Sequence, residues 1–149
     1  MIEQGLLDDY WEHWRLLRGN RDDRLQAKAS GRSHDVVDEA VEEGNPAAIE
    51  LLLALAEAAP SEGDCALIGA GPLEKLISIH SARLTTPEGA SLVDAIDAAA
   101  RHSGRFRRAL RGVVMGAEVP DAVKNRLRDS AEGPRNWGPP SGRTLPDLS

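Results

Sequence analysis

The chain has 149 residues, 41% hydrophobic, 28% charged and 3% aromatic, with a net charge of −6 and a single cysteine. That length fits one domain able to bury about 70% of its unfolded surface. With so few aromatic residues, the core must be built from Leu, Ile, Val and Ala, a mixture that suits close-packed helices better than a sheet. The lone Cys65 excludes an internal disulfide, so nothing points to an oxidising compartment.

In chain order, the first predicted helix runs from about Ile2 to Arg18. Leu6, Leu7, Tyr10, Trp11, Trp14 and Leu17 recur there at three- and four-residue spacing. Gly19-Asn20 reads as its C-cap, and the polar Arg21–Arg32 as a loop or frayed helical extension. A second helix spans about His34–Glu43, with Ser33 as N-cap, a buried stripe of Val36, Val37, Ala40 and Val41, and Gly44 as stop. Asn45 then caps a third helix, Pro46–Ala59, with Pro46 at the first helical position. That helix is apolar nearly all round except for Glu50 and Glu57, and so belongs at the centre of the domain.

Ser61 with Asp64 resembles a capping box and starts a short helix, Glu62–Ile68. Gly69-Ala70-Gly71-Pro72 should break it, with Gly69 or Gly71 at positive φ and a new helix running from Pro72 to about His80. Three further helices are expected at Pro87–His102, Gly104–Met115 and Pro120–Asp129. After Ser130 the sequence turns rich in Pro and Gly. The predicted architecture is a single all-α domain over 1–130, an irregular antiparallel helical bundle or a short array of the HEAT or armadillo kind, followed by a flexible tail over 131–149. The longest strongly apolar run, Ala47–Ala59, is too short and too polar to span a bilayer, and the N-terminus does not resemble a signal peptide. A cytoplasmic protein without membrane association is the expectation.

No constellation of catalytic residues stands out. The Gly-Ala-Gly-Pro segment lacks the preceding strand and third glycine of a dinucleotide fingerprint, which leaves a tight helix junction or an anion held at the Pro72 helix start. His13, His34, His80 and His102 are far apart in sequence and read as surface or helix-end residues. None pairs with Cys65 at metal-ligand spacing, so no metal and no cofactor is expected. Cys65 itself reads as a buried, inert thiol, because Glu62 and Asp64 disfavour a thiolate. Trp11 and Trp14 share one helix face, which serves core packing or a binding groove.

Charge is distributed unevenly. Ser33–Glu74 holds ten carboxylates and no Lys or Arg, whereas Arg101–Arg128 holds eight basic residues against Glu118 and Asp121. The two segments either complement each other, within the fold or between subunits, or leave an acidic surface that steers a basic partner. The basic stretch has no interleaved aromatic besides Phe106, so nucleic-acid binding is not expected.

Several segments together, Asn45-Pro46 with its Leu-rich helix, Ile68-Gly-Ala-Gly-Pro-Leu-Glu74 and Ile96–Leu110, resemble an uncharacterised family of small bacterial helical domains. That resemblance implies a helical domain and carries no catalytic residues to map.

The leading expectation is a non-enzymatic interaction protein, in one form an immunity or antitoxin-like protein, that binds a basic protein through Asp35, Asp38, Glu39, Glu42, Glu43, Trp11 and Trp14. The alternative is a small enzyme or ligand-binding domain with a cleft formed by Gly69, Gly71, Pro72, Glu74 and His80. A homo-oligomer joined by acidic and basic faces is the third reading.

Overall fold

The computed structural model describes residues 2–29 and 31–133, and among them every regular element is helical. The elements are α1 (Gln4–Leu17), α2 (Arg21–Ala29), α3 (Arg32–Glu43), α4 (Pro46–Glu57), α5 (Glu62–Ile68), a π-type turn (Gly69–Leu73), α6 (Glu74–Ile79), α7 (Pro87–His102), α8 (Gly104–Arg111) and α9 (Asp121–Glu132).

The largely apolar α4 is central. It packs against α1 and α3 on one side and α5, α7 and α8 on the other, burying Ile49, Leu51, Leu52 and Leu55. Its start follows the sequence signal, since the Asn45 side chain accepts the Ala47 N–H at 3.1 Å with Pro46 in the first turn. Gly44 ends α3 with φ of 64°, a conformation that costs glycine little. At the start of α5, Ser61 Oγ accepts the Asp64 N–H at 3.2 Å.

Four expectations are corrected. Arg21–Arg32 is neither a loop nor a frayed extension of α1, since Arg21–Ala29 forms its own helix and Arg32 opens α3: Asn20 caps α2 instead of ending α1, its Oδ1 accepting the Asp23 N–H while Asp23 Oδ2 accepts the Asn20 N–H. This is a capping box with Asn and Asp in the Ser and Glu places. Ser33 is not an N-cap either. The helix begins two residues earlier, at Arg32, and the Ser33 hydroxyl is buried without a hydrogen-bond partner among the described residues.

The third correction concerns Gly69–Pro72, which does not break the chain. The backbone stays helical from α5 into α6, with Gly69 at φ −67° and neither Gly69 nor Gly71 at positive φ. A proline inside an α-helix clashes with the carbonyl four residues back, and widening the turn to π type relieves that clash. The continuity also removes the helix N-terminus at Pro72 that an anion would have used. Gly69 is demanded by packing, because a Cβ there would fall on the Ala109 carbonyl oxygen of α8.

Finally, the last two boundaries move. α8 stops at Arg111, where Gly112 packs against Ala66 and the β-branched Val113 and Val114 follow. α9 continues past Ser130 to Glu132, because the Ser130 hydroxyl is satisfied within the helix at 3.0 Å from the Arg126 carbonyl and across to Asp97 at 2.6 Å. The expected flexible tail, with Trp137, lies outside the described residues from 134 onward.

Candidate functional site

The two tryptophans of α1 have different roles. Trp11 is core: it is 5% exposed and its indole N–H donates to the Leu55 carbonyl of α4 at 2.9 Å. Trp14, one turn on, is half-buried and lines a pocket of about 270 Å³ between α1, α3 and the π-type turn. The other walls are Tyr10, His34, Val37, Asp38, Gly71, Pro72 and Lys75. Trp14, Asp38, Gly71 and Pro72, assigned by sequence to two separate sites, thus meet in one place.

An aromatic stack underlies this pocket. The His34 ring lies parallel on Tyr10 at 4.1 Å between centroids, and the His13 ring is tilted against it at 4.3 Å. His13 Nδ1, Trp14 Nε1 and His34 Nε2 are sealed from solvent and have no hydrogen-bond partner among the described residues. Leaving a buried polar nitrogen unpaired costs on the order of 1–3 kcal/mol, so this junction trades hydrogen bonds for ring packing. Burial holds the His34 pKa below its ordinary value, and the neighbouring His13 adds to the effect. Near neutral pH the wall of the pocket formed by His34 therefore carries no charge. Burial likewise pushes the Tyr10 hydroxyl up.

His34 does lie in the first turn of α3, near a helix end as the sequence suggested, whereas His13 sits inside α1, and both rings are half-buried instead of on the open surface. The signal for His13 was available: it falls three residues after Tyr10 and three before Leu16, both buried on the inward side of α1.

Beside the pocket, α3 presents Asp35, Asp38, Glu39, Glu42 and Glu43, all exposed. The Lys75 ammonium lies 3.9 Å from Asp38 and 3.8 Å from Glu42, within ion-pair range but beyond a hydrogen bond. The acids continue into the last turn of α3, where the helix dipole disfavours them. The α3 carbonyls at that end are held by His80, whose Nε2 lies 2.8 Å from the Val41 oxygen, and by Arg83, which donates to the Gly44 oxygen at 2.6 Å.

The remaining cleft candidates are not gathered at the pocket. His80 is occupied with the end of α3. Glu74 accepts the Val114 N–H at 2.8 Å and ties α6 to the segment after α8. Gly69 is sealed against α8. Cys65 is fully buried, and burial pushes its thiol pKa up, which suits an inert residue. Among the described residues no cluster of three or more His, Cys, Asp or Glu could hold a metal ion, and no helix is long and apolar enough to cross a membrane.

The arginines of the basic segment meet partners other than the α3 carboxylates. Arg105 donates to the Ala59 carbonyl at 2.6 Å and reaches the Ala56 and Glu57 carbonyls at the end of α4. Arg107 and Arg111 donate to the Ala100 and Ala131 carbonyls. Arg126 pairs with Asp94 and Asp97 of α7, and Arg101 also pairs with Asp97. Burial would raise the Asp97 pKa, but the Ser130 hydroxyl and these two guanidinium groups outweigh it and hold the carboxyl below its ordinary value.

No curated protein and no solved structure matches the chain. The α3 face, the π-type turn and α4–α9 all fall within a matched family segment, whereas the Trp-bearing α1 precedes it. Residues 20–134 match a family of unknown function, DUF6869, and the chain belongs to that family.

Proposed function

We propose that this protein is a non-enzymatic interaction domain that binds a basic protein through the exposed acidic face of α3. An immunity or antitoxin-like protein, covering the basic surface of a toxin domain, is one concrete form. The observation that carries this reading is the contrast in partners: Lys75 alone lies at ion-pair distance from the α3 acids among the described residues, whereas Arg105, Arg107, Arg111 and Arg126 are engaged within the fold. An unneutralised carboxylate row raises encounter rates with a cationic surface and disfavours anionic ones. The enzymatic alternative is weakened because Glu74 and His80 serve the fold, and the pocket falls below the usual size of a cofactor or drug-sized ligand site.

Affinity capture at low salt, with the intact chain and with a Glu39→Lys, Glu43→Lys variant as parallel baits, tests the proposal. The expected result is a basic protein retained by the first, released by high salt and absent from the second. Equal retention by both baits sinks the reading. Salt-dependent self-association in light scattering, with no other protein bound, would replace it with the homo-oligomer.

A further inference from the structure

We infer that the pocket between α1, α3 and the π-type turn receives a single arginine side chain of that basic partner, with Asp38 as its counter-ion. The inference rests on the acidic-face reading above and adds what the pocket selects.

Its first support is the open carboxylate. Asp38 accepts no hydrogen bond among the described residues and meets only the loosely placed Lys75 ammonium. It stands at a pocket whose other walls are Tyr10, Trp14, Val37, Gly71, Pro72, the uncharged His34 and, as its one cation, Lys75. A guanidinium matches both features. Its planar fork donates two parallel hydrogen bonds to one carboxylate, and its faces stack on aromatic rings. An ammonium satisfies the charge alone, without the fork or the stacking face.

The second support is space. The volume of about 270 Å³ suits one long side chain rather than a cofactor. Gly71 keeps that space open: a Cβ there would meet nothing within 4 Å, in contrast to Gly69 two residues earlier. The third is Lys75 itself. At 42% exposure on a flexible stem, it holds the place of a cation without closing a hydrogen bond. The incoming arginine displaces it.

The test uses the full chain labelled with ¹⁵N and the peptide acetyl-Gly-Arg-Gly-amide, with its citrulline counterpart as the neutral isostere. The Trp14 indole N–H and the backbone amides of α3 report binding. Arginine peptide should shift the Trp14 signal saturably, and citrulline peptide should bind about tenfold more weakly. Lys75→Ala should tighten binding about threefold by removing the resident cation. Gly71→Leu, which fills the pocket, should abolish the shift while leaving the α3 amides and the melting temperature near those of the parent.

Equal binding of the citrulline peptide, or unchanged binding by Gly71→Leu, overturns the inference. So does weaker binding by Lys75→Ala, because removing a competing cation cannot weaken the hold on a guanidinium. Should Gly71→Leu unfold the chain, Trp14→Phe with Asp38→Asn decides the same question. The two readings fail separately. Capture lost on charge reversal at Glu39 and Glu43 but indifferent to Gly71→Leu removes the pocket and leaves the acidic face.

Discussion

The two charged regions of this protein differ less in density than in what their charges touch. In the basic C-terminal third, guanidinium groups hold the molecule together: Arg105 closes the end of α4, Arg111 reaches the Ala131 carbonyl near the end of α9, and Arg126 joins α9 to α7. On α3, five carboxylates stand in solvent, three of them a turn from one another and the last two at the unfavourable end of the dipole. These guanidinium groups are thus used for assembly, and the α3 carboxylates are displayed. Sequence patterning alone reads both as charged segments; only their partners separate them.

The sharpest test of this division uses two glycines of one turn. Gly69→Ala places a Cβ on the Ala109 carbonyl where α5 meets α8, on the assembled side. It should cost about 3 kcal/mol or more, or prevent folding. Gly71→Ala, on the pocket side, meets open space and should stabilise by about 0.5 kcal/mol through loss of unfolded-state freedom. Urea denaturation of the two variants measures the difference, and similar losses from both would contradict the contrast.

Next in size is Arg105→Met. It removes the donor to the carbonyls that end α4 while keeping much of the stem, and should cost about 1–3 kcal/mol. A change under about 0.5 kcal/mol would move Arg105 from assembly to display.

Much of the fold was legible because local chemistry and tertiary packing agree. Asn45-Pro46 starts α4, Ser61 caps α5 and Gly44 ends α3, each through backbone groups within a few residues. Where one signal admitted two meanings, the reading failed. Gly19-Asn20 can end a helix or start one, and only the reciprocal bonds with Asp23 decide for α2. Pro72 ordinarily breaks a helix, and the π-type turn that accommodates it has no reliable sequence mark. The pocket was half legible: Trp14, Asp38, Gly71 and Pro72 were named, but in two separate sets, and Tyr10, His34, Val37 and Lys75 were not, because residues 10–14, 34–38 and 71–75 are joined only by the packing of α1, α3 and the turn.

The pH dependence of stability sharpens the comparison on the α1–α3 side. His34 has a folded pKa below its unfolded value because its stacked, buried ring is neutral. The unfolded chain then binds the proton more readily, so stability rises with pH between the folded and unfolded values. The full contribution is present above the ordinary histidine pKa of about 6.5 and is lost as pH falls through the lowered one. Melting curves should show this decline, and His34→Phe, which keeps a ring on Tyr10 without a titrating group, should flatten it. An unaltered slope would place the titration elsewhere.

The smallest effect carries the most meaning for function. Glu39 stands four residues from both Asp35 and Glu43 on the exposed side of α3, and like charges at that spacing repel by about 0.2–0.5 kcal/mol per pair. Glu39→Gln should therefore stabilise the free protein by about 0.5 kcal/mol at low salt, and the gain should shrink as salt screens the pairs. The same substitution should weaken capture of a basic protein. Opposite signs on stability and binding are what a displayed charge produces, since the repulsion it maintains in the free protein is relieved only by a cationic partner. If Glu39→Gln destabilises the chain instead, the acidic face belongs to the fold, and the two charged regions are alike after all.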